Sequence, residues 1–384
     1  MTTLTLKDRA AIVGMGETDF GKGIAGSEFE LACRAISAAL ADAGIRADEV
    51  DGLSCSNMEV THEEDLADAL GFDDVTFFSR IPAGGGGGCG TIGHAAMAIA
   101  TGQAKVVVVW RSRKRSGRAS RVWGKTAQEV KDYEMWLRPY GMIRPVDDIA
   151  PLTRRYMHDF GATREDLGRI ALTFRANANR NPRAMMQAKE LTMEQYLAAR
   201  WVSDPLCLFD CCLESDGAVA FVLVSAERAR DCRTRPVHVH AFAQGITSGS
   251  SLMANYNLAD PYRLQTYAAA KLLWRDSDFQ PADIDVAQIY DAFTPEVLWS
   301  LEGFGFCARG EAAEFVRSGE IGPGGQLPVN TAGGSLSEAY IHGFNLISEA
   351  VRQLRGTSTS QVDTVDSAFV CSSDGVPTSA IVLR

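Results

Sequence analysis

Two halves of this chain repeat one another, and that repetition limits the fold more than any other feature of the sequence. A helix-then-strand pattern ending Asp48-Glu49-Val50-Asp51-Gly52-Leu53 recurs as Asp283-Ile284-Asp285-Val286-Ala287, after an Ala-rich helical stretch at Thr266–Trp274. A Gly-rich stretch before a helix ending Thr101-Gly102 recurs as Gly333-Gly334 before a helix ending Arg355-Gly356. Glu214-Ser215-Asp216-Gly217 is matched by Ser372-Ser373-Asp374-Gly375. Three matches in one order predict a duplicated unit, with halves 1–235 and 236–384 meeting near Arg235-Pro236.

Within each half, strand-like and helix-like segments alternate, which predicts an α/β fold. Glu28 to Ala43 carries apolar residues at helical spacing and is closed by Gly44. Five glycines, Gly84 to Gly88, lead into a small-residue helix over Thr91–Thr101. The run Lys105-Val-Val-Val-Val-Trp110 fits a strand buried on both faces. From about 111 to 205 the chain is charged, aromatic and Pro-punctuated, with helical pieces near Asp148–Phe160, Arg164–Asn179 and Thr192–Ala199. This stretch reads as an excursion inserted between two strands of the first half.

Charge and cysteine usage narrow the class of function. Lys plus Arg is 38 and Asp plus Glu 48, a net charge of −10 that opposes a phosphate backbone, so no nucleic-acid partner is expected. No run approaches the roughly 20 apolar residues of a membrane span, and the first residues lack a secretory pattern. The nine cysteines show no Cys-x-x-Cys spacing and read as reduced thiols of a cytoplasmic protein. No metal site is expected at Cys207, Cys211 and Cys212, nor at His238 and His240, which read as structural. The basic stretch Arg111, Arg113, Lys114, Arg115, Arg118, Arg121 and Lys125 has two readings, an anion site or a solvated loop, with the loop favoured.

Four segments carry the candidate chemistry: the pentaglycine at Gly84–Gly88, Tyr290-Asp291-Ala292-Phe293, Asn330-Thr331-Ala332-Gly333-Gly334 followed by Ala339-Tyr340-Ile341-His342-Gly343, and Cys371-Ser372-Ser373-Asp374-Gly375. On these motifs, and on the duplication with its excursion, the chain resembles the thiolase superfamily and its sterol-carrier-protein-type branch. The resemblance implies a thiolase fold, a duplicated five-layered α-β-α-β-α architecture. It also exposes departures. The family spacing puts the nucleophilic cysteine at Gly85, and Cys89 lies four residues further on. The Asn- or His-headed tetrapeptide begins with Tyr290, and Tyr340 falls where the catalytic histidine belongs. Cys371 survives from the last motif, but the glycine two residues later does not.

Without a thiolate no acyl-enzyme forms by the usual route. Two tyrosines suit a retro-aldol cleavage of a β-hydroxyacyl thioester, in which one phenol removes the carbinol proton and the other donates to the enolate. A phenol with pKa about 10 needs nearby positive charge or hydrogen bonds to act as a base, and His342 is a candidate for that help.

This pattern resembles the steroid side-chain-cleaving aldolases. The resemblance implies a 17-hydroxy steroid side-chain CoA thioester as substrate. Its products would be a ketosteroid and a short acyl-CoA such as propionyl-CoA. It implies Tyr290 and Tyr340 as catalytic residues, with Tyr340 favoured as base because it replaces the histidine. Asp291, His342, Cys371, Gly375, Gly85, Gly333 and Gly334 would be supporting, oxyanion or pocket residues. No cofactor is expected in this chain. A homodimer is implied, joined by an OB-fold and zinc-ribbon companion, with zinc on the companion, into a heterotetramer. The excursion would shape the acyl pocket. Two alternatives remain at this point: a thiolase or acyltransferase using Cys89 or Cys371, and a non-catalytic sterol or acyl-CoA carrier.

Overall fold

Long apolar strands account for the centre of the molecule, seen in a computed structural model that describes residues 5–115, 134–248, 253 and 258–384. In the first half β1 (Ala10–Glu17) is followed by α1 (Glu28–Ala43), β2 (Gly52–Ser56), α2 (Glu63–Leu70), β3 (Phe77–Ile81), α3 (Gly88–Thr101) and β4 (Val106–Arg113). The excursion then contributes α4 (Glu134–Leu137), α5 (Pro145–Phe160), α6 (Arg164–Arg180), α7 (Met193–Leu197) and the short strands β5 (Trp201–Ser203) and β6 (Leu206–Cys207), before β7 (Gly217–Ser225) returns to the sheet. The second half runs β8 (Val237–Gly245), α8 (Gln265–Asp276), β9 (Val286–Ile289), α9 (Thr294–Gly303), α10 (Ala312–Arg317), α11 (Gly334–Ser337), α12 (Phe344–Arg355), β10 (Ala368–Cys371) and β11 (Thr378–Leu383). No helix among the described residues is long and apolar enough to cross a membrane.

The strand pairings carry the duplication. In the first half β1 is antiparallel to β7, β7 antiparallel to β4, and β4 and β3 flank β2 in parallel. In the second, β8 is antiparallel to β11, β11 antiparallel to β10, and β10 parallel to β9. A single parallel bridge from Ala287 to Val329 stands where β3 stands in the first half. The pairs Ala11–His238 and Ile12–Val237 join the halves into one sheet, ordered β3-β2-β4-β7-β1-β8-β11-β10-β9.

Helix α3 packs against β2, β4 and β7 of one half and β8 and β11 of the other, and α12 touches β9, β10 and β7. These two helices are therefore the central layer. Helix α1 covers the first half-sheet from outside and α8 the second, which gives the five layers. The small residues of α3 let both half-sheets approach it: Gly88, Cys89, Gly90, Ala95 and Ala96 are all buried. A Cβ at Gly93 would lie 2.3 Å from the Phe242 ring.

Local signals place most boundaries. Ser27 caps α1 through the Glu30 amide, Glu30 returns a bond to the Ser27 amide, and Gly44 ends the helix in the left-handed region. Thr163 and Thr192 cap α6 and α7 in the same way. Two boundaries differ from expectation. The Gly333-Gly334 pair opens only the one-turn α11, and a loop carrying Tyr340 and His342 intervenes before α12. Strand β4 runs on to Arg113, burying Arg111 and Arg113. The solvated-loop reading of the basic stretch is thus corrected for those two residues. Edge pairing with β7 continues through Arg113–Gly217, and each arginine finds a buried setting there. Arg118, Arg121 and Lys125 lie outside the described residues.

Candidate active site

Tyr290 follows the last residue of β9, and Cys371 ends the parallel neighbour β10 in register with Ile289. The site thus forms at the carboxyl ends of parallel strands, where backbone leaves the sheet and side chains gain a free edge. Asn330 ties the 330–343 loop to this edge: its amide donates to the Ile289 carbonyl at 2.8 Å and accepts from the Ile289 amide at 2.8 Å. Asp291 holds the next turn. Its carboxylate accepts from the Ser335 and Leu336 amides at 2.7 and 3.1 Å, N–H groups in the first turn of α11 that have no acceptor within the helix. Gly334 is required there, because its φ is +62° and a Cβ would lie 2.3 Å from Asp291 Oδ2.

The excursion braces the same loop from behind. The Asn177 amide donates to the carbonyls of Val329 and Asn330, the Asn181 amide to the Ala332 carbonyl, and Arg175 Nε to Ser337 Oγ at 2.9 Å. The Tyr340 amide donates to Ser215 Oγ at 2.9 Å, just before β7.

So held, the two phenols meet. The hydroxyls of Tyr290 and Tyr340 are 2.7 Å apart, with ring planes at 72°. Both rings are buried. Gly85 presses on the same hydroxyl, since a Cβ there would fall 2.2 Å from Tyr290 Oη. The Tyr290 phenol therefore fills the place into which a side chain at position 85 would project. Gly86 packs as closely against the Pro377 carbonyl, and the Gly85 carbonyl accepts from the Ser373 amide at 3.1 Å. The pentaglycine lets the entry of α3 lie against the C-terminal hairpin.

Electrostatics separate the two rings. Burial, then the neighbouring Tyr340 phenol, pushes Tyr290 well above the ordinary tyrosine value. Burial raises Tyr340 to about 12, while Arg113 and the hydrogen bond with Tyr290 pull it down. The Arg113 guanidinium carbon lies 4.6 Å from the Tyr340 ring centroid. Burial also raises Asp291 to about 7 and Glu296 to about 8.

His342 does not supply the positive charge expected of it. Its ring stands 5.2 Å from that of Tyr340, and Arg111 Nε donates to its Nδ1 at 3.1 Å. Burial and the cluster Arg113, Arg111 and Arg115 hold it neutral, well below the ordinary histidine value. The arginines missed as site residues were visible as the basic stretch. What hid them was their alternation at the end of an apolar strand, which local charge density reads as a loop. Glu296 was missed too; its signal is a carboxylate in the first turn of the apolar helix α9, every residue of which is buried.

The cysteines face other groups. Cys89 Sγ donates to the Val370 carbonyl at 3.5 Å, and burial raises its thiol to about 12. Burial holds the Cys371 thiol well above its ordinary value beneath Tyr290. Neither offers a thiolate at neutral pH. Gly375 abuts Glu296 and the Met253 carbonyl, and Gly333, with φ +113°, turns the chain against Ala178. His240 bonds Asp8 and accepts from the Asp278 amide, as a structural residue does.

Comparison with known proteins places these features in a lineage. Residues 10–227 match the thiolase N-terminal domain and residues 249–383 the thiolase C-terminal domain-like family. The chain is 44% identical over 384 residues to 17-hydroxy-3-oxo-4-pregnene-20-carboxyl-CoA lyase of Mycobacterium tuberculosis, covering 98% of this chain and 100% of the relative. It is 44% identical over 386 residues to a steroid side-chain-cleaving aldolase of Thermomonospora curvata, covering 98% of each. Among solved structures, the Ltp2-ChsH2(DUF35) aldolase superposes with a TM-score of 0.94 at 43% identity, covering 99% of this chain and 98% of that one. Human mitochondrial 3-ketoacyl-CoA thiolase, at 15% identity and a TM-score of 0.70, shares the fold.

Proposed function

The chain belongs to the thiolase family, and we propose that it works there as a steroid side-chain-cleaving aldolase rather than as a thiolase. Its substrate is a β-hydroxyacyl-CoA whose carbinol carbon is C17 of a steroid, the chemistry named for the relative from Mycobacterium tuberculosis. The observation that carries this reading is the 2.7 Å contact between two phenols beside a glycine that leaves no room for a nucleophile's side chain.

The proton accounting is simple. Tyr340, as phenolate, takes the proton of the 17-hydroxyl. The C17–C20 bond breaks, its electron pair passes to the thioester as an enolate, and C17 becomes a ketone. Tyr290 gives its phenolic proton to C20, which releases propionyl-CoA when C20 bears one methyl group. Tyr340 is then protonated and Tyr290 is a phenolate, so one proton shift along their hydrogen bond restores the starting state. No covalent intermediate, metal or redox group in this chain is needed for these steps.

A companion protein of OB-fold and zinc-ribbon type completes the assembly, carrying any zinc, in a heterotetramer around a homodimer of this chain. The partner named in the Ltp2-ChsH2(DUF35) structure supports a companion. Strand β3, at the sheet edge among the described residues and with Phe78 71% exposed, supports self-pairing. The free thiols fit a cytoplasmic setting.

The test is to co-purify the chain with an OB-fold and zinc-ribbon companion and supply a 17-hydroxy steroid side-chain CoA thioester. Mass spectrometry should find the 17-ketosteroid and the short acyl-CoA in equal amounts. Tight binding without either product, or an acyl group trapped on a cysteine peptide, would overturn the assignment.

A further inference from the structure

We propose that Arg113 is the positioning residue that sets the direction of proton flow between the two phenols, by stabilising negative charge on Tyr340 and not on Tyr290. The inference rests on the reading above that Tyr340 takes the carbinol proton.

Two hydroxyls in hydrogen-bond contact are symmetric until something distinguishes them. The groups around Tyr340 come from several elements: Tyr290 after β9, Arg113 and Arg115 from the end of β4, Cys212 before β7, Glu296 on α9, and His342 two residues on. Cys212 is half-buried and protonated, its surroundings raising the thiol to about 12, and Glu296 tends toward its neutral form. His342 is neutral. The cations remain.

Arg111, the third arginine of the cluster around His342, is already committed. It pairs with buried Glu59 at 3.1 Å and donates to the Ser112 carbonyl and to His342. Arg113 is different. It is 1% exposed, its Nε and Nη1 have no hydrogen-bond partner among the described residues, and its guanidinium lies over the Tyr340 ring. A buried guanidinium with two unmade hydrogen bonds is a destabilising arrangement. Facing the ring of one phenol, it is also a fixed charge that favours that phenol's anion. Among the described residues Tyr290 has no such neighbour: Gly85 and Gly343 flank it.

The experiment is the pH dependence of kcat for Arg113→Met and Arg113→Lys in the companion complex, from about pH 6 to 10, beside Tyr340→Phe. In Arg113→Met the rising limb should move to higher pH by about 1 to 3 units, so that kcat near neutrality falls about 10- to 1000-fold and recovers as pH rises. KM should change much less. Arg113→Lys keeps the charge but not the planar contact, and its limb should move less than that of Arg113→Met. Should Arg113→Met fail to fold, Arg113→Lys decides alone, by a displaced limb. A limb left where the parent's stands, or no loss, overturns the proposal. Tyr340→Phe separates the two claims: if it retains turnover, the base assignment falls. If it is dead while Arg113→Met keeps an undisplaced limb, only the role of Arg113 falls.

Discussion

The Tyr290 hydroxyl lies 2.2 Å from the point where a Cβ on Gly85 would begin. The glycine leaves the space that the phenol fills, so the two positions pack as one unit. Gly85→Ala should therefore displace Tyr290 instead of filling empty space. We expect a loss of stability of about 1–3 kcal/mol from overpacking and a fall in kcat of at least about 100-fold. Paired melting and turnover measurements check this; an alanine variant with normal kcat would mean that Tyr290 does not need its observed place.

Tyr290→Phe and Tyr340→Phe each remove one hydroxyl from a 2.7 Å pair and leave the rings packed. Each should lower kcat by about 10²- to 10⁴-fold, the usual worth of a positioned acid or base, with near-native far-ultraviolet circular dichroism. The double variant should lose little beyond the worse single one, because the phenols act as one relay.

Thiol chemistry should be dispensable. Cys89 and Cys371 are buried, and burial raises both thiols, Cys89 to about 12. Cys89→Ala and Cys371→Ala should keep turnover within about tenfold of the parent at matched temperature, with stability losses of about 1–2 kcal/mol from the cavities. Iodoacetamide at neutral pH should leave most of the activity intact, scored by product release after quenching. Rapid inactivation that tracks alkylation of either peptide would revive the cysteine mechanism.

Stability should fall as pH rises from about 4 to about 8. Burial raises Glu296 to about 8 and Asp374 to about 7, and each has a carboxyl oxygen without a hydrogen-bond partner among the described residues. The folded chain thus holds protons that the unfolded chain, with carboxylates near pKa 4, releases. Stability from these groups is full below about pH 4 and is lost as pH rises toward 7 to 8. Asp374→Asn mimics the protonated form, so its melting temperature should fall less than the parent's between about pH 5 and 9. Parallel melting curves for the two proteins would sink this account.

Glu59 joins the end of β4 to the loop after β2, accepting from Arg111 Nη1, the Ser112 amide and hydroxyl, and the Thr61 amide and hydroxyl. Glu59→Gln leaves the Arg111 charge buried and uncompensated. A cost of about 3–5 kcal/mol is expected by denaturant titration. An effect below about 1 kcal/mol would mean that water reaches the pair.

The sequence by itself determined the architecture of the sheet. Apolar runs, glycine stops and Ser/Thr caps are local signals, and their repeated order implied a duplicated unit whose strand pairings prove equivalent in the two halves. It also determined which residue types stand at the family's motif positions, including the two phenols. Tertiary structure alone decided what those residues do to one another. Tyr290 and Tyr340 are 50 positions apart and meet only because Asn330 and Asp291 fold the intervening loop back onto β9. Arg111 and Arg113, read from charge density as a solvated loop, are buried because β7 returns from the excursion to pair with them. His342 loses its charge because three arginines and burial surround it, which no local spacing reveals. Burial and the field of distant charges are sums over the whole fold, and they set protonation; periodicity and capping act over a few residues, and a sequence displays them directly.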